Sequence, residues 1–277
     1  MTAKPNVAAH YGKGGLMARL RSALASDGAD PDRPTVEALT PYDQFHGRGI
    51  EATEEIAAEL SIAKTDHILD VGSGIGGPAR YFARRFGCPV TGIDLTPEFC
   101  DVARALTRTL GLDERVRFVE GNALQMAFVP RTFDGACSMN VAMNISDKQG
   151  LYREIHRVLK PGAWLALSEV ARGPGPEPDY PTPWAETAAA SFLATPEETR
   201  QRLEACGFAV LTLKDMLQET RAYGARLRAA VERGEKPAHR AVGIIHPDEA
   251  QAMAANVGRG LNSGALIPIE VFCRKPR

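Results

Sequence analysis

Between residues 67 and 169, short apolar runs alternate with stretches of helical periodicity. The runs at 67–71, 89–94, 116–120, 133–139 and 164–169 read as strands. Between them, 78–86, 97–110 and 148–159 read as helices. The second of these has Thr96 as a candidate N-cap and Pro97 in its first turn, and the third is closed by Lys160-Pro161-Gly162. Such alternation predicts a parallel sheet covered by helices on both faces. Further along, a helix over 196–206 ends at Gly207, a strand follows over 208–213, and 265–274 reads as a last strand. The expected fold is therefore α/β, with seven mostly parallel strands.

The flanking regions follow other patterns. Leu16, Met17, Leu20 and Leu24 fall at helical spacing, Asp30-Pro31-Asp32-Arg33-Pro34 breaks the chain, and a helix over 51–60 turns Ile56, Ala57 and Leu60 inward. Residues 172–183 are rich in proline and glycine and read as a long loop, a feature often tied to function. Residues 215–262 are helical and charged, with a break near 234–237. The organisation expected is an N-terminal helical extension or lid over 1–60. A domain over 61–277 follows, with a helical insertion at about 215–262.

Composition narrows the function. The 277 residues carry 33 Lys and Arg against 34 Asp and Glu, so no general attraction to nucleic acid or to an anionic membrane is expected. Five cysteines, odd in number and without a CxxC pair, exclude a disulfide framework or zinc knuckle and predict no metal site. They read as reduced core thiols of a cytoplasmic protein. Residues 1–15 hold no apolar run of the kind a secretion signal needs, and no stretch approaches the ~18 apolar residues of a membrane span.

The first strand ends in Asp70-Val71-Gly72-Ser73-Gly74-Ile75-Gly76-Gly77. A strand, a glycine turn and a helix N-terminus form a nucleotide-binding arrangement. Gly72-x-Gly74-x-x-Gly77 matches the dinucleotide fingerprint literally, and Asp94 ends the second strand where that fingerprint wants an acid. Asp70 separates the readings. A carboxylate at the loop would repel a pyrophosphate, whereas a ligand bearing an ammonium and a sulfonium suits it. A nicotinamide-dependent oxidoreductase is the competing class.

Four signals in order carry a resemblance: Leu69 to Gly76, then Gly92-Ile93-Asp94-Leu95, then Gly121-Asn122-Ala123, then Arg157 to Gly162. Together they resemble the class I S-adenosylmethionine-dependent methyltransferases, whose fold is Rossmann-like. The resemblance implies that Gly72, Ser73, Gly74 and Gly76 pack against the methionine part of the cofactor. It also implies that Asp94 and Leu95 bind the ribose, and that Asn122 and Ala123 meet the adenine. Many relatives carry an aspartate where this chain has Asn122. Met139 and Asn140 fall where relatives line the methyl region.

Tyr42-Asp43-Gln44-Phe45-His46-Gly47-Arg48-Gly49 is the densest polar-aromatic cluster in the chain. It resembles the lid segment of small-molecule methyltransferases of the sarcosine/dimethylglycine, tocopherol and sugar types. On that resemblance Tyr42 and His46 are candidate catalytic residues, Arg48 and Tyr11 candidate substrate contacts, and a surface turn is the plainer reading. His46 is the candidate base, since an unperturbed imidazole titrates near ~6.5. Trp184, with Tyr180 and Phe192, could box a cationic acceptor or simply pack the long loop. His246 could cap an acceptor pocket or start a helix. The expected activity is methylation of a small molecule, at an amine nitrogen first and at oxygen or carbon second. A homodimer is the expected assembly.

Overall fold

The computed structural model describes residues 7–277. Among these residues seven strands form one sheet. They are β1 (Ile68–Val71), β2 (Val90–Asp94), β3 (Val116–Glu120), β4 (Phe133–Met139), β5 (Leu159–Arg172), β6 (Ala209–Asp215) and β7 (Leu266–Arg274). The order across the sheet is β3-β2-β1-β4-β5-β7-β6, with β7 antiparallel to both its neighbours. The first five strands are parallel; β1, β2 and β4 are almost wholly buried, as their apolar sequences require, while β3 at the sheet edge alternates buried and exposed residues. The strand order reverses between β1 and β4, which opens a crevice at their C-terminal ends.

Helices cover both faces. They are α1 (Val7–Tyr11), α2 (Leu16–Ser26), α3 (Val36–Asp43), α4 (Ile50–Ala58), α5 (Gly77–Phe86), α6 (Pro97–Thr109), α7 (Lys148–Val158), α8 (Pro196–Ala205), α9 (Leu217–Glu232), α10 (Ala241–Ile245) and α11 (Ala250–Ser263). None of them is long and apolar enough to cross a membrane. The strands and long helices lie within a few residues of their expected places. Two details differ. β5 begins at Leu159, directly from α7, and its register against β4 shifts between Phe133 and Gly135, so 160–163 bulge without leaving the strand. Helix α3 was not anticipated, because Pro41 sits inside it. Thr35 compensates at the other end, its hydroxyl accepting the Ala38 amide at 3.2 Å.

The N-terminal helices do not pack alone. Leu16, Leu20 and Leu24 of α2, Leu39 and Tyr42 of α3, Phe99, Val102 and Leu106 of α6, and Ile244 and Ile245 of α10 share one apolar cluster with Ile75. Ile75 belongs to the glycine loop, so burying the amphipathic face of α2 also presses the extension onto the end of β1. The extension and the insertion thus meet over the crevice.

Candidate active site

The glycines of the loop after β1 divide by what surrounds them. Gly72, Gly74 and Gly76 have φ of 71°, 52° and 87°, a region that side chains with a Cβ enter at a cost. A Cβ on Gly72 would lie 2.3 Å from Val141, and one on Gly76 2.3 Å from the Phe118 ring, so these two are needed for packing. A Cβ on Gly74 would meet nothing within 4 Å, so it is Gly74 that faces the open crevice. Gly77, the last glycine of the dinucleotide-like spacing, lets the end of α3 pack closely: a Cβ there would lie 2.1 Å from the Asp43 carbonyl oxygen. The literal fingerprint is therefore made by glycines with unrelated tasks.

Asp94 fixes the loop at its open position. One carboxylate oxygen accepts the Gly74 amide at 2.8 Å and the other the Thr96 amide at 2.9 Å. Burial pushes its pKa up, and these amides pull it back. Beside it Leu95 is 42% exposed and Leu124 37%, an apolar rim at the ends of neighbouring strands. Asn122 is exposed between them, and its side-chain oxygen accepts the Leu124 amide at 2.9 Å. Ala123 is half-buried against the core. A carboxylate flanked by apolar edges fits a ribose joined to a flat base.

Asp70 lies beneath the loop and not at its mouth. It is 2% exposed, and one oxygen accepts the Cys137 thiol at 3.6 Å. The other oxygen makes no hydrogen bond of normal geometry, although the Ala79 amide lies close enough to pull the pKa down, and the buried hydroxyls of Ser73 and Ser138 nearby on the loop and β4 have no partner. Buried polar atoms left without partners mark a place where a ligand supplies them. Burial raises the Asp70 carboxyl to about 7, with the negative Asp94 adding to the rise. Asp70 is therefore not the fixed charge at the loop's mouth that its sequence position suggests: near neutral pH it is only partly ionised, and a cationic ligand would draw out its proton. These residues fit S-adenosylmethionine, whose sulfonium supplies an electrophilic methyl group when bound.

A stability prediction follows. A carboxyl whose pKa is higher folded than unfolded holds its proton better in the folded state. Its contribution therefore falls as pH rises from about 4 through about 7. Asp70→Asn removes that loss. It is expected to raise the melting temperature at pH 8 by several degrees, at about 2–4 °C per kcal/mol, while weakening binding of the cationic cofactor. Thermal melts and cofactor titrations at pH 5 and 8 check both signs, and a variant less stable at pH 8 would contradict the account.

Next to the crevice lies a cavity of about 910 Å³. Its walls come from 45–48, the ends of β5 and β7, α9 and α11, and they are mostly apolar: Val170, Met216, Leu227, Val257, Leu261 and Leu266 among them. Asn140, just past β4 and with φ of 58°, opens onto it from the crevice side. Tyr11, His46, Arg48 and Trp184 also line it, so four of the expected lid and substrate residues come together there.

Their chemistry differs from expectation in several respects. Tyr42 does not line the cavity. Its hydroxyl donates to Asp27 at 2.6 Å and accepts from Arg240 at 3.1 Å, which makes it an anchor between α2, α3 and the insertion. His46 lines the cavity, with its Nε2 3.1 Å from Thr53. Burial, reinforced by His239 and Arg48, lowers its pKa to about 3, so it is neutral and a poor proton acceptor. The guanidinium of Arg48 is engaged by Glu55 at 2.7 Å and Glu270 at 2.7 Å. Tyr11 donates to Asn144 at 2.9 Å, and Trp184 donates to Ser191 at 2.9 Å. His246 is fully buried behind the cavity, its ring 4.8 Å from His10 and 5.9 Å from Tyr11. Met139 packs under α4 with Ala52 and Ile56, away from the cavity. Tyr180 and Phe192 form no box with Trp184 on the cavity wall.

One residue went unnoticed. Glu169 on β5 is 4% exposed and lines the cavity. One oxygen accepts the amides of Val141 at 3.1 Å and Ala142 at 3.0 Å, and the other makes no hydrogen bond of normal geometry. Burial raises its pKa well above the usual carboxylate range, against the pull of those amides and of Lys148. Its signal was legible: like Asp70 and Asp94, it is an acid close to the end of an apolar strand in the parallel part of the sheet.

Known proteins share part of this sequence and the fold. Residues 69–167 match a family described as a methyltransferase domain. Methyltransferase phqN of Penicillium fellutanum is 31% identical over 192 residues, a match spanning 67% of this chain and 56% of that protein. The 24-methylenesterol C-methyltransferase 2 of Oryza sativa subsp. japonica is 40% identical over 139 residues, spanning 48% of this chain and 38% of that protein. Further relatives are named as O- and N-methyltransferases. Among solved structures, the [4+2]-cyclase SpnF shares the fold with a TM-score of 0.67 and 24% identity, over 95% of both chains. Other structural neighbours hold S-adenosylmethionine or S-adenosylhomocysteine. The chain belongs to the class I S-adenosylmethionine-dependent methyltransferases.

Proposed function

We propose that this protein transfers the methyl group of S-adenosylmethionine to a mostly apolar small molecule that presents a hydroxyl or a carbon nucleophile. The observation that carries the reading is the cavity of about 910 Å³, which meets the cofactor crevice at Asn140. That size accepts a drug-sized molecule, and apolar walls select by shape and desolvation. Gly74, Asp94 and Leu95 would hold the cofactor, Asp70 and Ser73 would face its cationic end, and Asn140 would stand where methyl passes to acceptor. Methyl transfer is an in-line displacement, so the protein contributes alignment and exclusion of water. Tyr11 and Phe45, stacked edge-on at 5.9 Å, are placed to close the site. The relative named for a sterol acceptor supports an apolar substrate. An amine acceptor, expected first from the sequence, is the second reading, favoured by the unpartnered carboxylate of Glu169. A homodimer and a cytoplasmic setting belong to the same proposal, and light scattering tests the first.

Gly258 offers a direct test. It lines the cavity from α11, and a Cβ there meets nothing within 4 Å. Gly258→Leu adds bulk to the acceptor space from a position where the Cβ itself is free of contacts. It is expected to leave S-adenosylhomocysteine affinity unchanged and to hold or raise stability, since glycine costs ~1 kcal/mol inside a helix. It is also expected to cut kcat/KM for bulky acceptors at least tenfold. Methyl transfer from radiolabelled S-adenosylmethionine to a panel of phenols, terpenoid alcohols, sterols and amines reads this out. Unchanged rates on every accepted compound would place the acceptor elsewhere.

A further inference from the structure

We infer that Glu169 is the general base of the reaction, an assignment that rests on the proposed methyl transfer and names the group that receives the acceptor's proton. The two oxygens of Glu169 have separate tasks. One is held by the amides of Val141 and Ala142, the two residues that follow Asn140, so the carboxylate is oriented from the place where crevice and cavity meet. The other makes no hydrogen bond of normal geometry, the Met143 amide lying close enough only to lower the carboxyl's pKa, and it belongs to a buried side chain on the cavity wall. A buried carboxylate oxygen without a donor is costly, and such a group persists where a ligand supplies the donor.

Other candidate bases in the cavity are occupied or unsuited: His239 meets the Gln44 carbonyl through Nε2 at 2.8 Å, and burial lowers its pKa. His46 is neutral with little proton affinity. Arg48 is paired to two glutamates, and Tyr11 and Trp184 each donate to a neighbouring side chain. The charged and titratable groups facing Glu169 are Lys148 and Tyr152 on α7 and Tyr11 on α1. Lys148 is engaged by the carbonyls of Ala142 at 2.6 Å and Ile145 at 3.0 Å, so it steadies the carboxylate without capping its free oxygen.

The step balances. The acceptor O–H bond breaks and its proton passes to the free oxygen of Glu169. An oxygen lone pair forms the new O–CH₃ bond. The S–CH₃ bond breaks with its electron pair left on sulfur, turning the sulfonium into a thioether. The carboxylic acid then releases its proton to solvent before the next turnover. For an amine acceptor the same oxygen takes the ammonium proton before transfer.

Glu169→Gln is the discriminating variant, because its carbonyl oxygen still accepts the Val141 and Ala142 amides while the basic oxygen is lost. Wild type and variant are compared in methyl transfer from radiolabelled S-adenosylmethionine to 1-naphthol, 4-methylumbelliferone, farnesol and the wider panel, across pH. In wild type the rate should rise with pH as Glu169 ionises and then level. Glu169→Gln should lose about 10²–10⁴-fold in kcat, the usual worth of a general base, with a flat profile and S-adenosylhomocysteine affinity within twofold. A variant that keeps wild-type kcat and the rising limb overturns the assignment and leaves the proposed function standing. A variant that loses S-adenosylhomocysteine binding as well marks Glu169 as a structural support of the site and also overturns it. Wild type that binds S-adenosylhomocysteine but methylates nothing in the panel brings down the proposed function and this base with it.

Discussion

Arg48→Met should lower stability by about 3–5 kcal/mol, the range for removing one partner of a buried ion pair. Arg48 is 5% exposed and Glu270 3% exposed, and their contact of 2.7 Å joins the lid segment to β7 across the cavity wall. Burial raises the Glu270 pKa, and Arg48 is the principal group pulling it back down. Without Arg48 the glutamate must stay charged in a dry wall or take up a proton. Lys214 also faces Glu270, which places the loss toward the lower end. A loss of 3 kcal/mol corresponds to about 6–12 °C in Tm. Adding Glu270→Gln should recover part of it, and the double-mutant cycle isolates the pair. A single variant within 2 °C of wild type would show that the pair does not hold the 45–48 segment to β7.

The largest effect on ligand binding is expected at Asp94. Asp94→Ala removes the proposed ribose acceptor and frees the Gly74 amide that positions the open turn. Hydrogen bonds to a charged group are worth about 1.5–3 kcal/mol, so S-adenosylhomocysteine should bind roughly 10- to 150-fold more weakly. Asp94→Asn keeps one acceptor oxygen and should fall between. Calorimetry decides, and unchanged affinity would remove Asp94 from the site.

The sheet was legible because its strands obey a simple rule. Parallel strands covered on both faces read as short apolar runs, and 67–169 shows five of them in order. What escaped was local. Helix α3 spans eight residues and holds Pro41, so its pattern is short and its sequence contains a helix breaker. It depends on burying Leu39 and Tyr42 against α2, α6 and α10, contacts that no local window contains.

The crevice was legible for a related reason. Acids near strand ends and glycines in the turn are encoded in consecutive residues, so Asp70, Gly74 and Asp94 could be named in advance. Which glycine faces the open crevice could not. Gly72, Gly76 and Gly77 are small because of Val141, Phe118 and Asp43, each remote in sequence. The acceptor side is harder still, since its wall comes from the lid, two strands and the insertion. Tyr42 and His46 both drew notice as polar aromatics beside the first strand. Only tertiary packing decides that one anchors helices and the other is buried too deeply to take a proton. Glu169 lay unread among the apolar residues of β5, although it followed the same strand-end rule as the two aspartates.

We propose that the crevice at Gly74 and Asp94 holds S-adenosylmethionine with its methyl group aimed past Asn140 into the cavity. A crystal structure of the protein with S-adenosylhomocysteine tests it most directly. The account predicts ribose hydroxyls on Asp94, adenine between Leu95 and Leu124, and sulfur at the Asn140 opening. S-adenosylhomocysteine bound away from Asp94, or with its sulfur turned from the cavity, would contradict it.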